Sequence, residues 1–164
     1  MLNSRKFFIL LFLISTSLLI YGFYLEYARG LEPCPLCILQ QIAYMGIILI
    51  SLVAALHNPK GLLQVIYKIL ITLTSMAGTV IAGRQTWLQH LPPELVPECG
   101  LGLDYMLNVF PIGEAIKMII TGSGECAEVK WNFIGLSIAE WSLIMFFGIT
   151  TITIISILQN RHQP

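Results

Sequence analysis

Cys34 and Cys37, in Glu32-Pro33-Cys34-Pro35-Leu36-Cys37, form a C-x-x-C, a pattern that serves either as a redox-active dithiol or as half of a metal site. A bridge between such close neighbours constrains the unfolded chain little, so it makes a poor staple and a good redox centre. Pro33 and Pro35 discourage helix ahead of Cys37, which places the motif at the first turn of the apolar segment that follows. Unpaired N–H groups and the helix dipole at that turn favour an anion, and therefore a reactive thiolate. A structural zinc site wants four Cys or His ligands, and His90 and the other cysteines could join only through tertiary folding, so no metal site is expected.

The other two cysteines lie in turn-forming stretches, Cys99 in Pro97-Glu98-Cys99-Gly100 and Cys126 in Gly122-Ser123-Gly124-Glu125-Cys126. A bridge between them would close a loop long enough to contribute about 3 kcal/mol by chain entropy, so a purely structural bridge stands as an alternative here. The neighbouring Glu98 and Glu125 disfavour thiolates, which suits a disulfide that is attacked better than a free nucleophile. An exposed, flexible bridge of this type exchanges readily with a partner's thiolate.

The elements that must position these sulfurs are membrane helices. Only 11% of the 164 residues are charged and 56% are hydrophobic, against roughly a quarter charged in soluble domains. The apolar residues gather in runs of about 20, the length that crosses a bilayer. We read four spans, at about 7–25, 38–56, 62–83 and 141–160, in one integral membrane domain covering residues 1–164. All eight prolines fall outside these spans, as unbroken helices require. Lys68 is expected to snorkel to the interface, and Gly22, Gly46, Gly78 and Gly148 are read as packing positions. The first run is read as a span rather than a cleaved signal peptide, because it exceeds a typical h-region and no small-x-small site follows it.

One side collects Arg5, Lys6, Lys60, Lys68 and Arg161 in short loops, while the other holds all nine carboxylates. Both termini are therefore expected in the cytoplasm. The outer loops are about 26–37 and 84–140, and the four cysteines lie in them or at their edges, two per loop. The outer side of a bacterial inner membrane permits disulfides, so one bridge in each loop is expected. Pro111 to Thr121 reads as a short amphipathic helix lying on the membrane surface, with Gly122 as its stop. The fold class is thus an all-α membrane protein, a four-helix transmembrane bundle with a long periplasmic loop carrying a short interfacial helix. A net charge of zero and no basic run leave no footprint for nucleic acid. A dithiol at the membrane edge needs an electron acceptor that diffuses there, and a lipid-soluble quinone meets that need.

In order along the chain stand Pro33-Cys34-Pro35-Leu36-Cys37, then Arg84-Gln85-Thr86-Trp87-Leu88-Gln89-His90-Leu91-Pro92, Cys99-Gly100, Gly122-Ser123-Gly124-Glu125-Cys126-Ala127-Glu128 and Trp131. On a four-span frame this set resembles the DsbB family of disulfide bond formation proteins, inner-membrane quinone reductases that reoxidise a DsbA-type periplasmic thiol oxidase. The resemblance implies that Cys99 forms the mixed disulfide with the reduced partner and that its mate Cys126 is freed to pass electrons to the first pair. Cys34 would exchange with the loop pair, and Cys37 would face the quinone, ubiquinone or menaquinone, as the thiolate donor. The family usually has Arg four residues after the second cysteine of the C-x-x-C, where this chain has Gln41, a hydrogen-bond donor without charge. Arg84 is a candidate substitute cation, with interface snorkelling as the alternative. His90 fits a quinone-side or proton-handling role, with an ordinary polar loop residue as the alternative. Trp87, Trp131 and Trp141 are read as an aromatic belt.

Two other readings remain open. The vitamin K epoxide reductase group also joins four helices, a C-x-x-C and a quinone, but its loop cysteines precede the C-x-x-C, whereas here they follow. A non-catalytic, disulfide-stapled or metal-binding membrane subunit would keep its cysteines inert. On the leading reading, Cys99→Ser abolishes exchange with the soluble partner, while Cys37→Ser still forms the mixed disulfide but blocks quinone reduction. Thiol trapping on non-reducing gels checks both, and full turnover in either variant would refute the assigned route.

Overall fold

The structure, a computed structural model, describes residues 4–96 and 108–161. Four long helices dominate: α1 (Ser4–Arg29), α2 (Pro35–His57), α3 (Leu62–Gln89) and, last in the chain, α6 (Ile138–Arg161). Each carries a stretch long and apolar enough to cross a membrane, and the chain is a multi-pass, all-α membrane protein. Between α3 and α6 lie a 3-10 turn (Pro93–Leu95), α4 (Ile112–Thr121), the single turn α5 (Gly124–Ala127) and the strands β1 (Asn132–Phe133) and β2 (Leu136–Ser137).

Local chemistry sets the ends of these elements. Pro35 occupies the first turn of α2, where its missing N–H costs nothing and its fixed φ suits the helix, and extended Cys34 is the N-cap. Asn58 closes α2 in the left-handed conformation, its N–H donating to the Ala54 carbonyl at 2.9 Å. Ser137 and Glu140 form a capping box on α6: the Glu140 carboxylate accepts from the Ser137 N–H at 2.7 Å, and the Glu140 N–H donates to Ser137 Oγ at 3.2 Å. The strands pair antiparallel through Ile134 and Gly135, both at positive φ, as a two-residue hairpin turn requires.

Helix α1 packs on α2, α2 on α3 and α3 on α6. Phe8, Ile47, Ala54, Ile71, Ala82 and Phe146 lie at the centre of the bundle, while Leu13, Ile20, Leu49, Leu73, Val80 and Phe147 face outward. Tyr44 stacks on Phe146 with centroids 4.1 Å apart, and a Thr150–Ser75 hydrogen bond of 2.8 Å ties α6 to α3. The Phe146 ring sits where a Cβ on Gly78 would stand, 2.6 Å from its nearest atoms, and Gly46 lies against Thr74. At Gly22 and Gly148, by contrast, a Cβ would meet nothing within 4 Å, so only two of the four span glycines expected to pack do so.

Lys68 also departs from expectation. It is only 2% exposed, and its ammonium donates to the Ser156 carbonyl of α6 at 3.2 Å and sits 5.5 Å from the centroid of the Phe7 ring. Neighbouring helices offer the cation a carbonyl and a π-face, so it turns into the bundle instead of reaching outward.

The Phe146–Gly78 contact makes a paired prediction. Gly78→Ala is expected to cost about 1–3 kcal/mol by overpacking, and Gly148→Ala to stay within about 0.5 kcal/mol of the parent. Equilibrium unfolding in mixed micelles measures both, and equal stability of the two variants would contradict the packing described.

Candidate dithiol site

The C-x-x-C sits where the N-terminus of α2 meets the C-terminal turns of α3. The Cys34 thiol donates to Cys37 Sγ at 3.1 Å. Helix α3 continues past Gly83 to Gln89 and so carries Gln85 to the same place. Gln85 Nε2 lies 3.1 Å from Cys37 Sγ and 3.5 Å from Cys34 Sγ. Its Oε1 accepts from Gln40 Nε2 at 2.6 Å. Gln40 follows Cys37 by one helical turn, and both glutamines are 4% exposed.

The third sulfur arrives on α5. Gly122 ends α4 at φ +80° and lies so close to Leu88 that a Cβ could not be accommodated. From there Ser123 starts α5, and its carbonyl accepts from the Cys126 N–H at 2.9 Å. Cys126 is fully buried and packs with Cys34, Leu36 and Leu88. Cys34, Cys37 and Cys126 are all free thiols. A hydrogen bond between Cys34 and Cys126 divides their acidities: Cys34 is raised, first by that bond and then by Cys37 and burial. Cys126 is lowered to about 6, chiefly because the Cys34 thiol donates to it, with burial opposing and the Leu36 and Ser123 backbone assisting. The one Cys34 S–H serves Cys37 or Cys126, not both at once, so the two sulfurs compete for it, and Cys126 ionises more readily than Cys34.

A cavity of about 560 Å³ opens beside the pair, with α1, α2, α6 and the 125–133 segment contributing to its walls. Cys34, Cys37, Gln41, Tyr44, Glu26 and Trp141 are among its lining residues. Gln41 Nε2 donates to Glu26 Oε2 at 3.3 Å. Trp141 and Trp131 both line the cavity, and Trp141 Nε1 donates to the Phe133 carbonyl at 3.2 Å.

Of the residues singled out in the sequence, Cys34, Cys37, Cys126 and Gln41 therefore come together, whereas Cys99 lies outside the described residues. Arg84 does not line the cavity: its guanidinium donates to the Thr121 carbonyl at 2.9 Å, at the end of α4. His90 is also away from the cavity, with Nδ1 2.9 Å from the Thr86 carbonyl and Nε2 3.7 Å from Glu140. Trp87 points outward, 63% exposed. Sequence reasoning missed Gln40 and Gln85. Their signal was uncharged polar residues on or beside apolar helices, one of them a single turn from a cysteine.

A dithiol held at the end of a four-helix membrane bundle, with a third thiol against it, defines a membrane thiol–disulfide oxidoreductase. The family described as "Disulfide bond formation protein DsbB" matches residues 4–156, and the chain belongs to that family. It is 48% identical over 151 residues to the "Disulfide bond formation protein B" of Hahella chejuensis, covering 92% of each chain. It is 44% identical over 163 residues to that of Marinobacter nauticus, covering 99% of this chain and 96% of the relative. The identity to the protein of that name from an Azoarcus species is 47% over 144 residues, covering 88% and 86%.

The shared proton has a measurable consequence. A thiol with lowered pKa is ionised above that value, so alkylation of Cys126 in the fully reduced chain should rise with pH through about 6 and then level off. In Cys34→Ala the same rise should shift upward, towards the ordinary thiol value of 9.0. Site-resolved mass spectrometry of labelled peptides reads both curves, and coincident curves would show that Cys34 does not supply the stabilising bond.

Proposed function

We propose that this chain is a protein-dithiol:quinone oxidoreductase that reoxidises a periplasmic DsbA-type thiol oxidase and passes the electrons to membrane quinone. The observation that carries the reading is the meeting of Cys126 with Cys34 while Cys37 lines the adjacent cavity. Thiol–disulfide exchange requires a thiolate to reach a disulfide sulfur, and a lowered pKa supplies that thiolate.

The route begins with a Cys99–Cys126 bridge. A thiolate of the reduced partner bonds to Cys99 and breaks that bridge, so that Cys126 leaves as a thiolate. Cys126 then bonds to Cys34 of the Cys34–Cys37 bridge, and Cys37 leaves as a thiolate lining the cavity. The partner's second thiolate attacks its own sulfur in the mixed disulfide, which releases Cys99 and leaves the partner oxidised. Cys99 returns to Cys126, restoring the loop bridge and freeing Cys34 as a thiol. Oxidation of the Cys34 thiol and the Cys37 thiolate back to a disulfide yields two electrons and one proton, which with a second proton taken from water convert one quinone, ubiquinone or menaquinone, to quinol.

The cavity suits such a molecule: hydrophobic side chains dominate its wall, and Cys34, Cys37, Gln40 and Gln41 supply sulfur and amide groups. Gln41 would present a hydrogen-bond donor without a charge. Arg5, Lys6 and Lys60 in short segments favour a topology with both termini in the cytoplasm of a bacterium and the cysteine loops outside, where the lipid and quinone pool of the inner membrane surrounds the bundle.

Quinone absorbance after mixing the detergent-solubilised chain, a short-chain ubiquinone and a reduced DsbA-type protein tests the reading. Catalytic loss that disappears in Cys99→Ser is expected. No loss with ubiquinone or with a menaquinone analogue would overturn the quinone-dependent function.

A further inference from the structure

Gln85 has an unusual set of neighbours for a residue on a membrane helix. It is buried, its nitrogen points at two sulfurs, and its oxygen is taken by a second buried amide. Turned over, Gln85 would present an oxygen to a developing thiolate and a nitrogen to the Gln40 amide nitrogen, losing both interactions. With Gln40 Nε2 toward it, Gln85 is held in the orientation that donates to Cys37 at 3.1 Å, the shorter of its two contacts with that sulfur, Oε1 lying 3.6 Å away.

No Lys or Arg bonds to these sulfurs among the described residues. Arg84 is spent on the Thr121 carbonyl, Gln41 is neutral and occupied by Glu26, and Lys130, although it lines the cavity, is exposed. We propose that Gln85 is a catalytic hydrogen-bond donor to the Cys37 thiolate, and that Gln40 is the positioning residue that fixes its amide. This rests on the route set out under Proposed function, in which Cys37 leaves as a thiolate and is then oxidised with Cys34. In that oxidation a Cys34–Cys37 bond forms, two electrons and the Cys34 proton pass to the quinone, which takes its second proton from water, and Gln85 is unchanged. Its N–H holds the negative charge on Cys37 until the electrons leave. The Gln40 amide, by polarising Gln85, strengthens that bond.

The test labels the fully reduced, full-length chain with iodoacetamide at pH 7 in detergent, without quinone or partner, and follows Cys37 by peptide mass spectrometry. Gln85→Leu should slow labelling of Cys37 about tenfold, the effect of losing a bond to a charged group. Gln40→Leu should slow it less, about threefold, because the donor remains but is no longer fixed. Gln85→Glu keeps the shape and can still accept from Gln40, but it removes the donor, so it should be at least as slow as Gln85→Leu. In turnover, Gln85→Glu should lower kcat while changing the KM for ubiquinone less than about twofold, a split that follows from stabilising the thiolate and not the bound quinone.

Cys37 labelling in Gln85→Glu at the parental rate would overturn the proposal and reduce Gln85 to a space-filling residue. If Gln85→Leu fails to fold by circular dichroism, the near-isosteric Glu variant decides. Absence of quinone turnover in the parent chain would defeat the proposed function, while the labelling rates would still decide the part played by Gln85.

Discussion

The site depends on one junction, where the first turn of α2 meets the last turns of α3. Leu36 and Leu88 are both fully buried there, and their contact fixes the C-x-x-C against the helix that carries Gln85. Gly122 fits beneath Leu88 only because it lacks a Cβ, and its positive φ turns the chain so that α5 delivers Cys126 to Cys34. A side chain at Gly122 would disturb both conditions. The apolar contact is therefore the support on which the sulfur geometry rests, and it accounts for the approach of a sulfur far along the chain to a dithiol near its beginning.

The fold was legible in the sequence because a bilayer leaves few choices. Long apolar runs with prolines between them must be helices, and four such runs give a bundle. The ten-residue helix α4 and its glycine stop were also readable from the period of its apolar residues. The sequence was less informative wherever tertiary packing decided the outcome. Lys68 could have reached outward or inward, and the choice was made by Ser156 and Phe7, which are distant in sequence. Hydropathy placed the end of the third apolar run at Gly83, but α3 is stabilised past that point by its contacts with α5 and the hairpin, including the 2.7 Å bond from Ser137 to Gln89. That extension separates a loop Arg84-Gln85 from a helical one, and it explains why Gln85 was overlooked while its charged neighbour attracted notice.

The cysteines show the same division. Their spacing identified the C-x-x-C, and their flanking residues marked Cys126 as a loop cysteine. Which sulfur meets which is a property of the junction. The sharing of a proton between Cys34 and Cys126 could not be read from Glu125 beside Cys126, which argued against a thiolate. A thiol hydrogen-bonded to the charged form outweighs a carboxylate that is only adjacent in sequence, because hydrogen bonding acts at contact distance.

Neutral amides also suit this position on physical grounds. A permanent cation at the membrane edge must be kept hydrated or paired throughout the cycle, including the stages in which the sulfurs form a neutral disulfide and offer no counter-charge. A carboxamide carries no such cost in the disulfide state and donates when a thiolate appears. A hydrogen bond to a charged group contributes about 1.5–3 kcal/mol, enough to change the thiolate population by an order of magnitude or more. The Gln40–Gln85 pair adds preorganisation, since the donor is already aimed before the charge develops. Gln41, bound to Glu26 on the cavity wall, is then released from the task of balancing the thiolate. The neutral Gln40–Gln85 pair can thus face both the oxidised and the reduced sulfur pair without reorganising around a fixed charge.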